Sequence, residues 1–67
     1  MAVLKVIEVL AESDKDWEDA ARQAVEEAGR TVRYIRSIYI KNFEATVADG
    51  KIGKYRINAK ITFAVEG

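Results

Sequence analysis

The sequence predicts an α+β fold of order β-α-β-β: a three-stranded antiparallel sheet of strand order 1-3-2, packed on one amphipathic helix. Three observations predict it. From Lys54 to Val65 every odd position is apolar (Tyr55, Ile57, Ala59, Ile61, Phe63, Val65) and every even one through Thr62 is polar, the period of a strand with one buried face. Trp17, Ala20, Ala21, Ala24, Val25, Ala28, Val32 and Ile35 fall instead on a stripe at helical spacing. Asp49-Gly50 stands between two extended stretches and is a hairpin signal. A right-handed crossover through the helix runs strands 1 and 2 in the same direction, and strand 3 fills the slot between them, antiparallel to both.

Taken in order, Ala2 to Ala11 is apolar and β-branched with charges at Lys5 and Glu8, which suits a first strand whose faces the imperfect alternation leaves unassigned. Glu12 to Asp16 is a polar break. Ser13 or Asp16 can cap the helix, each followed three residues on by an acid in the manner of a capping box. The helix then runs from Trp17 to near Tyr34, with Gly29 marking either a close approach or an earlier end. Its inward residues are small, so a sheet can lie close, with Trp17 at one end and Val32 and Ile35 at the other supplying bulk. Ser37 to Val47 forms the second strand, with a bulge or bend at Asn42-Phe43. The odd residues of the third strand, with Ile38 and Ile40, cover the helix. Ser37, Tyr39 and Lys41 lie beside Arg56, Asn58 and Lys60 on the other face.

Residues 1–67 make one domain, so small that its core alone gives a thin margin against chain entropy. Without Cys or His it has neither disulfides nor the usual zinc ligands, and self-association is the expected remaining support. Eleven basic and eleven acidic residues are interspersed and cancel, which gives no nucleic-acid footprint. Lys5 and Glu8 interrupt the first apolar stretch, so neither a signal peptide nor a membrane span is expected, and a cytoplasmic protein is the default.

The helix carboxylates Glu18, Asp19, Glu26 and Glu27 read as a solvated face rather than acid-base machinery. No Ser-His or Cys-His nucleophile can form, so the expectation is a protein that is not an enzyme; catalysis at a site between subunits is the reading from another class. Trp17 reads as a core anchor. Tyr39 is a subunit contact or a stacking surface, and Arg56 and Lys60 pair with a neighbouring subunit's acids or hold an anion.

Lys5-Val6-Ile7-Glu8, Ser13-Asp14-Lys15-Asp16-Trp17-Glu18-Asp19-Ala20, Thr31-Val32-Arg33 and Asp49-Gly50-Lys51 followed by Tyr55-Arg56-Ile57 resemble, in order and spacing, the dodecins. The resemblance spans essentially the whole chain. It implies a sheet partly wrapped around its helix, a hollow homododecamer of cubic symmetry, and non-catalytic binding and buffering of a flavin: riboflavin, its phosphate FMN, or lumichrome. In flavin-binding dodecins a Trp at the start of the second strand stacks on the ring, and a Gln after the Tyr of the third strand hydrogen-bonds it. Ser37 and Arg56 stand at those positions here. The flavin site implied by the resemblance therefore consists of Ser37, Tyr39, Lys41, Arg56 and Asn58, with Tyr39 as a smaller platform and Arg56 reaching a carbonyl or phosphate oxygen. The alternative is a flavin-free shell that acts as a scaffold or binds calcium, as has been described for family members lacking the Trp.

Overall fold

The computed structural model describes residues 2–66. They form β1 (Leu4–Ser13), α1 (Trp17–Ala28), β2 (Ile35–Ala48) and β3 (Lys51–Ala64), in one sheet of order β1-β3-β2 with both pairings antiparallel. The predicted order, topology and central third strand are all present. The boundaries differ: β1 lies later than the predicted Ala2 to Ala11, and β2 and β3 both start earlier. Glu12 and Ser13 thus belong to the strand rather than to the break before the helix.

Asp16, and not Ser13, caps α1: its Oδ1 accepts the Asp19 N–H at 2.7 Å. Ser13 is buried at the end of β1. Its hydroxyl accepts the Lys15 N–H at 2.9 Å and donates to Asp19 Oδ2 at 2.6 Å. That hydroxyl, and then the Gln23 amide donating to the same oxygen at 2.6 Å, hold the Asp19 carboxyl below the usual range. The folded-state pKa is lower than the unfolded one, so these bonds stabilise above pH 3.8 and are lost as pH falls. Asp19→Asn is expected to lower the melting temperature at neutral pH, with the gap to the wild type closing at acid pH; a gap that widened there would refute the assignment.

The helix ends at Ala28, earlier than the predicted Tyr34. The Thr31 and Val32 N–H groups both bond to the Ala28 carbonyl, at 3.1 and 2.9 Å, closing a turn, and Tyr34 then takes a φ of 61°. Val32 and Ile35 still reach the core, but from this turn and the start of β2. The apolar stripe was therefore right about burial and wrong about backbone.

The core joins Ala20, Ala24 and Ala28 of α1 to Ile57, Ala59 and Ile61 of β3, with Val9, Ala11, Ile38 and Ile40 packed around them. β3 is buried at its centre because it alone has neighbours on both edges. Its inward alternation fails at the end: Ala64 is buried, and Val65 lies past the strand, exposed. The molecule measures 51 × 19 × 14 Å. A 12-residue helix spans about 18 Å and a 14-residue strand about 46 Å, so α1 covers less than half of the length of β2 and β3.

β2 breaks register with β3 at Ile35/Ser37, Ile40/Asn42 and Ala45/Val47. The middle break, where the sequence predicts a bulge, leaves Lys41 as the extra residue and reverses the alternation. Phe43 thereby turns to the helix side, where its ring meets Trp17 edge-on at 5.9 Å, and Glu44 turns outward. Asp49 and Gly50 both take positive φ, 54° and 74°, as a two-residue hairpin turn requires. A Cβ on Gly50 would meet nothing within 4 Å, so only its backbone conformation matters. Gly50→Ala is expected to cost about 1 kcal/mol in urea unfolding at unchanged m-value. No loss would mean that the turn rearranges freely.

Candidate functional site: the outer face of the sheet

The face of the sheet turned away from α1 is built from cross-strand rows. Antiparallel register sets Glu12, Arg56 and Glu44 in one row, Leu10, Asn58 and Asn42 in the next, then Glu8, Lys60 and Tyr39, then Val6, Thr62 and Ser37. All five predicted site residues lie on this face or at its bulge. Opposed side chains in such rows are within contact distance, so each row behaves as a unit.

Arg56 is the best-anchored side chain of the face. Its Nε and Nη2 bond Glu12 Oε2 at 2.7 and 2.6 Å, and its Nη1 reaches Glu44 Oε1 at 3.2 Å. One guanidinium thus spans all three strands. Glu12, and then Glu44, raise the already high Arg56 pKa, so it stays charged at every working pH. These partners belong to its own chain.

Tyr39 lies opposite Lys60 and is 64% exposed, so its ring is open to a partner. Lys41, at the bulge, pairs loosely with Glu8 at 3.5 Å. Ser37 lies opposite Thr62 and is exposed, with no ring of its own to offer. Asn58 Oδ1 is buried and accepts no hydrogen bond, an orphan that a native structure usually resolves with a ligand, a water or a second chain. Leu4, Val6 and Leu10 of β1 are each more than half exposed on the same face.

Glu12, Glu44, Glu8 and Leu10 were missed as members of this face. In β1 a signal was present: Glu8, Leu10 and Glu12 share one parity, opposite the apolar Ile7, Val9 and Ala11. The imperfect alternation at the start of β1 obscured it, and Glu44 turns outward only through the parity change at the bulge, which the sequence reading placed but did not carry on to the residues beyond. Glu8, Glu12 and Glu44 balance Lys41, Lys60 and Arg56 in charge, and among the described residues no three acidic side chains converge as a metal-binding group. The face does not fit the flavin hold implied for positions 37 and 56. Ser37 gives no stacking surface, and each Arg56 nitrogen already bonds a carboxylate of its own chain.

No helix among the described residues is long and apolar enough to cross a membrane. The family model described as Dodecin matches residues 3–66. Among solved structures, the chain is similar to a dodecin from Streptomyces coelicolor at 24% identity, covering 98% of this chain and 94% of that one, with a TM-score of 0.92. An arginine-to-alanine mutant of the T. thermophilus dodecin matches over 100% of both chains at 22% identity and a TM-score of 0.93. Both speak for the fold. A calcium-chelating immunodominant antigen, the calcium dodecin of Mycobacterium tuberculosis, shares 37% identity over 91% of this chain and 87% of its own, with a TM-score of 0.81. None of the curated proteins matches the chain.

Proposed function

Because the chain belongs to the dodecin family, we propose that it builds a non-enzymatic homo-oligomeric shell, a cytoplasmic dodecamer by that kinship, whose outer sheet face works without a flavin. The observation that carries this reading is the Glu12–Arg56–Glu44 row, in which the side chain standing where a ring-binding amide would be is committed to its own chain. Self-assembly draws support from Leu4, Val6 and Leu10, an exposed apolar run on an otherwise polar face that a second copy would cover. A cation is the ligand class favoured here, since the row holds two carboxylates for one guanidinium and the M. tuberculosis relative is a calcium-chelating dodecin. Its remaining ligands would come from neighbouring copies.

Riboflavin fluorescence titrated with the assembled protein tests the reading. No saturable quenching is expected at micromolar protein, whereas calcium added to the chelator-treated protein is expected to raise its melting temperature. Quenching by the unchanged protein would sink the flavin-free reading, and light scattering that returned a monomer would sink the shell.

A flavin-type ligand is the second reading, and two observations favour it. The exposed Tyr39 ring offers a stacking surface, and Asn58 Oδ1 on the same face lacks a donor that a ring N–H would supply. The same titration decides between the two.

A further inference from the structure

We infer that Arg56 is the residue that sets which ligands the outer face accepts: clamped between Glu12 and Glu44, it lays a charged bar across the three strands that excludes flat uncharged rings and small anions alike. The inference rests on the flavin-free reading and gives its cause. Every guanidinium nitrogen is engaged, with Nε and Nη2 on Glu12 and Nη1 on Glu44, so only the second N–H of each Nη is left, and a ring carbonyl that reaches for it comes up against the flanking carboxylates. Arg56 cannot simply swing aside, because that would leave two carboxylates facing each other across β3 without a counter-charge.

A ring laid over this row must strip water from three charged groups whose side chains are 35%, 38% and 58% exposed, and an uncharged ring returns only weak contacts to the N–H groups left over. Tyr39, two rows away and with one face free, gives too small a stacking surface to offset it. An anion fares no better: it meets the guanidinium only through the flanking carboxylates. What the row does favour is a positive group beside its surplus carboxylate, and Glu44, held by the longer 3.2 Å contact, is the one free to turn toward it. Arg56 is thus a specificity-determining residue that acts by staying paired.

The test compares variants of the assembled protein by quenching of riboflavin and of FMN, with assembly verified by light scattering. Ser37→Trp supplies a ring but leaves the bar; Ser37→Trp with Arg56→Gln supplies the ring and removes it. The double variant is expected to bind riboflavin at least about tenfold more tightly than the single one. Equal affinity would overturn the role of Arg56, leaving the flavin-free reading intact if the unchanged protein still fails to quench. Quenching by the unchanged protein would overturn both. Ser37→Trp with Glu12→Gln and Glu44→Gln leaves the side chains at positions 12 and 44 the same size and keeps Arg56, so it serves where Arg56→Gln loosens the sheet. There the released guanidinium is expected to favour FMN over riboflavin by about tenfold, and the absence of any preference would overturn the inference.

Discussion

Ile57→Ala is expected to lower the unfolding free energy by about 2–5 kcal/mol, most of the margin of so small a domain. Ile57 is fully buried at the centre of β3, against Ala20 of the helix and beside Ala59 on its own strand. Its buried neighbours Ala20 and Ala59 cannot fill the void, because a methyl group has no reach and the strand is fixed by hydrogen-bonded neighbours on both edges. Ile57→Val removes one methyl and should cost about 0.5–1.5 kcal/mol at the same site. Urea unfolding at one fixed protein concentration separates the two, since self-association makes the midpoint depend on concentration. An Ile57→Ala loss no larger than that of Ile57→Val would mean that the helix collapses onto the cavity.

Trp17→Ala is expected to cost about 3 kcal/mol, the lower end for removal of a large aromatic, because one edge of the ring is in solvent. The ring opens α1 and closes the end of the core. It meets Tyr55 edge-on at 4.9 Å and Phe43 at 5.9 Å, and its Nε1 donates to the Glu44 carbonyl at 2.9 Å. That hydrogen bond ties the helix start to β2 just past the Lys41 bulge. Trp17→Phe keeps most of the packing and loses the bond, and should cost about 1 kcal/mol. Thermal melting followed by circular dichroism reads both variants, and equal losses would assign the whole effect to the hydrogen bond. As Trp17 is the only tryptophan, its fluorescence in the wild type also reports whether this corner opens before the rest.

Much of the fold was legible because its signals are local. The alternation of residues 54–65 reports one buried face whatever the partner, and Asp49-Gly50 specifies its turn through backbone preferences alone. Val32 and Ile35 were legible as core and illegible as backbone: a stripe records which side chains are buried, and a turn that bonds twice to the Ala28 carbonyl delivers the same burial. The site was half legible. Its five predicted residues share one region, yet the partners that give Arg56 its character, Glu12 and Glu44, lie on different strands and come into line only through register. One extra residue at Lys41 decides that register on β2; without it Glu44 would face the helix and Phe43 the outer surface.

The sequence alone thus determined the element order, the central strand and the small-residue helix that lets a sheet lie close, since periodicity, turn chemistry and side-chain size act within a few residues. Tertiary structure decided where the helix stops, which residues of β1 face outward, and that Arg56 spends its charge on its own chain. Those outcomes depend on cross-strand register and on the competition among charges for partners, which no stretch of sequence contains by itself.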